Sequence, residues 1–254
     1  MSFESTTTVD LSSTAYSSTN VSFVKPPPLP VRQIGLKESK AAAASLAKAF
    51  EGDEVSFYFL DTPDKKDSRR SSDATWKLHT KIMEYTVAAH CRKGLVLSIG
   101  ENHEGVALWM PPGHNMDDWW TMFRSGMWKL YFKLSKEGRK RWFREFLPKL
   151  HDTKEEVMAE RDPNSWYLVY IGVIPDAQGR GYSRRLVEHV TVMADALNEP
   201  CYVESSARKN VAIYERFGFQ RRTELILNRA DHEVMLDIMV REPGVHYIPH
   251  SEKP

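Results

Sequence analysis

Eight residues, Trp166 to Val173, form an almost unbroken apolar run rich in β-branched and aromatic side chains. A run this short, apolar at both alternations, reads as a strand buried on both faces, at the centre of a sheet covered by helices. Pro175 stops it, and Gln178-Gly179-Arg180-Gly181-Tyr182-Ser183 follows. Leu186, Val187, Val190, Ala194 and Leu197 then recur at helical spacing. Strand, glycine loop and helix in that order call for an α/β (α+β) fold with an anion site at the turn. Two glycines let the backbone wrap a phosphate closely. The helix start presents unpaired N–H groups and the positive end of its dipole. Arg180, Arg184 and Arg185 add cationic donors.

Two nucleotide classes use such a turn. A dinucleotide site needs G-x-G-x-x-G, a helix and an acid about 20 residues on. Gly179 and Gly181 match, and Glu204 imitates the acid, but Arg184 occupies the third glycine position. The motif also lies too late in the chain for a six-stranded dinucleotide domain to follow. A Walker loop is excluded, because no Gly-Lys-Ser/Thr is present. Downstream, Pro200 opens a strand at Cys201-Tyr202-Val203. Asn210 stands where a helix cap is needed, and Ile213, Tyr214 and Phe217 share one helical face. Gly218 suits a left-handed C-terminal cap with Phe219 as its apolar partner, and Val234 to Val240 reads as a last strand.

Gln178-x-x-Gly181-x-Ser183, preceded by Ile171-x-Val173-x-Pro175 and followed by Asn210-x-x-x-Tyr214-x-x-x-Gly218-Phe219, resembles the motifs of the GNAT superfamily of N-acetyltransferases. Ser183 stands where that family usually has Gly or Ala, and a small hydroxyl there is suited to capping the helix. Trp166-Tyr167-Leu168, Gly172-Val173, Glu204-Ser205-Ser206-Ala207, Tyr214-Glu215-Arg216 and Ala107-Leu108-Trp109 are similar to the puromycin N-acetyltransferase-like members. The resemblance covers about residues 165–220. It implies a GNAT fold, with a central mixed, mostly antiparallel twisted sheet, splayed strands, flanking helices and a helical insert. It implies acetyl-CoA as cofactor, held by the main chain of Ile171, Gly172 and Val173 and by Gln178, Gly179, Arg180, Gly181, Tyr182, Ser183 and Arg184. Asn210 is left as either a cofactor contact or a plain helix cap.

The reaction so implied is acetyl transfer to a primary amine of a small molecule by direct attack on the thioester. It needs a neutral amine, a polarised carbonyl and a protonated leaving thiolate. Tyr214 is the candidate acid, since a phenol of pKa about 10 can donate to a thiolate of pKa about 8.5. The competing reading is a core tyrosine on an apolar face. Glu204 is the candidate base or cation anchor, against an exposed strand-end carboxylate. Tyr170 fits core packing better than catalysis, His189 an exposed or structural position, and Cys201 a small core residue. Acetylation of protein lysines or N-termini, and a non-catalytic acyl-CoA sensor, are the alternatives.

The remaining chain frames that segment. Residues 1–30 are Ser/Thr-rich and close on Lys25-Pro26-Pro27-Pro28-Leu29-Pro30, the composition of a solvated tail. Residues 31–245 form a single domain, and 246–254 a C-terminal tail. A strand is expected at Val31–Ile34, helices at 39–50 and about 73–90, and a hairpin from Leu95–Ile99 and Val106–Met110. Residues 115–160 are charged and aromatic. They read as a helical insert of two amphipathic helices, its aromatics divided between core and the wall of a substrate pocket. The basic run Lys136 to Arg144 reads as a solvated helix face.

With a net charge of +1, nothing draws the whole chain to nucleic acid. Two cysteines without ligand spacing suggest neither a disulfide scaffold nor a metal. No membrane span or secretory leader is expected, and Met1 to Val24 lacks the Arg of a mitochondrial presequence. The expected partner is a small-molecule amine. The expected location is cytoplasmic with possible nuclear access, as a monomer or homodimer.

Overall fold

The computed structural model describes residues 29–64, 68–114 and 124–245. Residues 1–28 of the tail expected at 1–30, the expected tail at 246–254, and Trp119, Trp120 and Phe123 of the insert lie outside the described residues. Seven strands form one sheet: β1 (Arg32–Gln33), β2 (Leu95–Ile99), β3 (Gly105–Met110), β4 (Trp166–Val173), β5 (Cys201–Ser205), β6 (Phe219–Leu227) and β7 (Val234–Arg241). Their order is β1-β2-β3-β4-β5-β7-β6. Only β4 and β5 run parallel among these neighbours.

Period-two alternation divides the sheet residues between two cores. Leu97, Ile99, Ala107 and Trp109 face α7 (Tyr182–Leu197), which contributes Leu186, Val187, Val190 and Ala194. Val96, Val106 and Leu108 face the other way, onto α1 (Ser39–Ala49) and α3 (Ser68–Lys93). The α1 helix is alanine-rich on its buried side, at Ala42, Ala43 and Ala47. Small side chains let it lie close to β4, where a Cβ on Gly172 would stand 2.7 Å from that of Ala49. Buried Thr75, His79, Ile82, Met83, Thr86 and Val87 trace one stripe of α3 at i, i+4, i+7 spacing.

The β5-β7-β6 end of the sheet packs against the insert and the short α2 (Glu54–Tyr58). The insert departs from two regular helices. It runs as α4 (Leu130–Lys133), α5 (Lys136–Lys140), a π-helical stretch at Arg141–Phe146 and α6 (Leu147–Met158). Ser135 restarts the helix, its hydroxyl accepting the Gly138 N–H at 2.9 Å. Pro148 lacks the N–H that a regular turn needs, and the widened turn sits just before it. The basic run is not wholly a solvated face either. Arg141 is buried, donating to the Tyr58 carbonyl at 2.8 Å with its guanidinium 4.9 Å from the Tyr58 ring. No described helix is long and apolar enough to cross a membrane.

Candidate active site

The pairing of β4 with β5 spans only Trp166↔Cys201, Tyr167↔Tyr202 and Leu168↔Val203. Beyond Leu168 the two strands diverge, so the β5-facing backbone edge of Val169–Val173 opens onto a cleft. On its other side β4 stays paired to β3 through Val173, with an irregularity where Leu108 pairs Tyr170 but Trp109 pairs Leu168. The bulge absorbs Val169, so Val169 and Tyr170 both pack on the α1–α3 side. Alternation is broken at the point where the strands part.

One turn after β4 the chain enters the glycine loop. Gly179 and Gly181 take φ of +76° and +75°, a left-handed backbone open to glycine at no steric cost. Gly181 is the N-cap of α7, and the first helical bond is Arg185 N–H to the Gly181 carbonyl at 3.2 Å. Helix geometry leaves the Gly181, Tyr182 and Ser183 amides without an intrahelical acceptor. Ser183 therefore sits inside the first turn and does not cap the helix. The Tyr182 ring is buried, leaving its amide as the part that faces the loop. The side chains of Gln178 and Arg180 turn back onto the Val173 and Asp176 carbonyls, at 3.2 and 2.8 Å. Arg184 pairs with Glu188 at 2.6 Å on the exposed face.

The cleft continues into a cavity of about 600 Å3, walled by β4, β5, α2, α3 and the insert. Tyr214 and Glu204 both line it. Tyr214 lies on α8 (Val211–Arg216), its ring edge-on to Phe219 at 5.8 Å. Burial, and then the charge of Asp53, hold its phenol well above the ordinary tyrosine range, so it stays protonated. Asn210 precedes α8 in helical conformation and its side chain makes no capping hydrogen bond; it too lines the cavity. Gly218 does take the left-handed conformation expected after the helix, at φ +88°.

Glu204 is no exposed strand-end carboxylate. It sits within β5 and faces the cavity, where burial pushes its carboxyl up to about 7. The Tyr167 hydroxyl donates to its Oε2. Tyr167 and the charge of Lys154 work against the rise, as does the nearby Tyr202 hydroxyl, which lies outside hydrogen-bond geometry. Glu204 Oε1 is sealed, without a hydrogen-bond partner among the described residues.

The Lys154 ammonium, from α6, lies 5.7 Å from the ring centres of both Tyr167 and Tyr202 and pairs with Asp162. Burial pulls its pKa down while Glu204 opposes the change. Asp53 caps α2, accepting the Ser56 N–H at 2.8 Å and the Ser206 hydroxyl at 2.5 Å.

Tyr167, Lys154 and Asp53 also line the cavity, and motif reading misses them. Only Asp53 leaves a local signal, a helix cap just after Gly52. The other expected positions fall plainly. Tyr170 lines the cavity and packs edge-on to Phe50 at 5.2 Å. His189 is exposed. Cys201 is fully buried, and its thiol is pushed up to about 12 by burial, as suits a core residue.

A family model described as an acetyltransferase (GNAT) domain matches residues 152–221, from within α6 to the third residue of β6. An uncharacterized N-acetyltransferase of Schizosaccharomyces pombe is 46% identical over 212 residues, covering 84% of this chain and 83% of the relative. Two solved structures share the fold. A Corynebacterium glutamicum protein described as histone acetyltransferase HPA2 and related acetyltransferase superposes with a TM-score of 0.53 at 18% identity, covering 87% of this chain and 99% of its own. Arylalkylamine N-acetyltransferase 2 of Aedes aegypti superposes with a TM-score of 0.54 at 14% identity, covering 84% and 98%.

Proposed function

The chain belongs to the GNAT family of N-acetyltransferases, and from that premise we propose that it moves an acetyl group from acetyl-CoA to a primary amine of a small molecule. One observation carries the reading: β4 and β5 part beside a cavity into which Glu204 and Tyr214 both face. The residues present fit the cofactor. A Cβ at Gly179 or Gly181 would meet nothing within 4 Å, so the left-handed turn is open to a diphosphate. The unpaired edge of Val169–Val173 offers main-chain groups to an extended pantetheine arm.

Acetyl-CoA supplies an acyl group already activated as a thioester. The chain's own groups do the rest. Main-chain N–H groups of β4 orient and polarise the thioester carbonyl. Glu204, raised toward neutrality, accepts the proton that the ammonium must lose before its nitrogen can attack. Tyr167 fixes the carboxylate's direction. Tyr214 keeps its proton until charge develops on the departing sulfur, and then donates to it. The insert roofs the cavity with Trp142, Phe143 and Phe146, which favours a small acceptor over an extended peptide.

Free thiol release from acetyl-CoA over a panel of small amines tests the reading. Tyr214→Phe is expected to lower kcat by about 10²-fold or more, with CoA affinity within about twofold. Full activity in that variant removes the acid role. Turnover of lysine peptides without small amines selects protein acetylation, and CoA binding with no turnover selects a sensor.

A further inference from the structure

Outside the cavity, the insert carries an aromatic ridge that the folded core does not use. Leu130, in α4, and Leu134, just after it, are buried and pin that turn to the core, which leaves the residues between them facing outward. Phe132 is 73% exposed, Tyr131 53% and Trp128 40%. The rings follow one another: Trp128 to Phe132 at 6.1 Å, Phe132 to Tyr131 at 5.5 Å and Tyr131 to Phe143 at 5.8 Å. Single exposed aromatics are ordinary, but a contiguous exposed cluster marks a contact surface.

Cations frame the ridge. Lys129 Nζ lies 5.7 Å from the Trp128 ring centre. The Arg139 guanidinium sits 5.2 Å over the Tyr131 ring and donates to the Tyr131 carbonyl at 3.2 Å. Lys129, Lys133 and Lys136 are exposed, and no Asp or Glu occurs from Ser125 to Lys136. The adjoining carboxylates are engaged, Glu137 by Lys140, Arg141 and Arg229, and Asp64 by the Glu137 amide at 2.9 Å. The whole chain carries only +1, so this basic character is local.

We propose that this face docks on an anionic lipid surface. Phe132 and Tyr131 enter the headgroup region, and Lys129, Lys133 and Lys136 meet the acidic headgroups. Aromatic rings flanked by lysines match both layers of a bilayer interface, apolar below and negative above. A second copy of the chain suits the face less, since a twofold contact sets lysine against lysine. Single-stranded nucleic acid suits it less too, because ring planes crossed at 84° and 79° offer no row of parallel faces to bases. Phe143 belongs to both the ridge and the cavity lining, so docking puts the lipid beside the acceptor cavity.

The test is co-sedimentation of the full chain with vesicles of phosphatidylcholine alone, and of phosphatidylcholine with about 30% phosphatidylserine. Binding to the acidic vesicles is expected to be about tenfold tighter or more, and that excess is expected to vanish at about 0.5 M NaCl. Phe132→Ser is expected to weaken it about tenfold, and Phe132→Trp to retain it. Lys133→Gln is expected to weaken it about fivefold. Both positions are exposed, so the thermal midpoint and thiol release from acetyl-CoA are expected to stay as in the parent chain. Failure to bind acidic vesicles overturns the proposal, as does binding that neither Phe132→Ser nor Lys133→Gln weakens. A dimer that Phe132→Ser dissociates, or oligouridylate binding lost in both variants, gives the face to a second copy or to nucleic acid and likewise overturns it.

Discussion

Glu204 carries the sharpest consequence of single-residue chemistry. In the proposed reaction Glu204 is the base and must be ionised to work, and its carboxyl is raised to about 7 because burial penalises its charged form. Activity should therefore fall on the acid side of about pH 7, where an ordinary glutamate would still be ionised. Lys154 pushes the other way, its positive charge favouring the carboxylate. Lys154→Met should shift the acid limb of kcat/KM to higher pH, measured on the enzyme with one amine over pH 5.5–9. A limb that stays in place would separate Glu204 from the proton transfer. Tyr214 and Glu204 were legible because the glycine loop, Asn210 and Gly218 fix their spacing along the chain. Tyr167, Lys154 and Asp53 were not, since they come from β4, α6 and the start of α2 and meet only through folding. Nothing in the run Asp152-Thr153-Lys154-Glu155-Glu156 sets that lysine apart from solvated neighbours.

Among the elements, β4 through α7 could be read almost to the residue. A strand buried on both faces, a glycine turn and an amphipathic helix each leave an unmistakable pattern. β6 left none. Gln220, Arg221, Arg222 and Thr223 are exposed on the sheet's outer edge, where charge discourages pairing with other chains but erases the apolar alternation. The insert was legible as helical but not as a broken path, because a π turn before Pro148 has no periodic signature of its own. Gly172 was read as a cofactor contact through its main chain. The fold adds a second reason for glycine there, the close approach of α1, with Leu46 Cδ2 3.1 Å and Ala49 Cβ 2.7 Å from an added Cβ. Gly172→Val should force that helix off the strand, at about 1–3 kcal/mol, or about 2–4 °C of thermal midpoint per kcal/mol. A thermal melt with an unchanged midpoint would mean that α1 yields without strain.

On the scale of the whole molecule, acid sensitivity follows from a histidine far from the chemistry. His90 is fully buried in α3, with Nδ1 2.8 Å from the Thr86 carbonyl oxygen and Nε2 without a partner among the described residues. Burial pulls its pKa down to about 4. Between about pH 6.5 and 4 the unfolded chain binds the proton and the folded chain does not, so stability falls as pH drops through that window. The loss is on the order of 3 kcal/mol at 1.36 kcal/mol per pH unit. His90→Gln should flatten the midpoint-against-pH curve there, and an equally steep curve would place the sensitivity elsewhere. The strand order has a different reach. Of the seven strands, β7 leaves the ribosome last yet lands inboard, between β5 and β6. The nascent chain must therefore carry β5 with a bare edge, Glu204 included, until the closing hairpin slots in beside it. During that interval the emerging polypeptide is a target for chaperones and for mispairing with its neighbours.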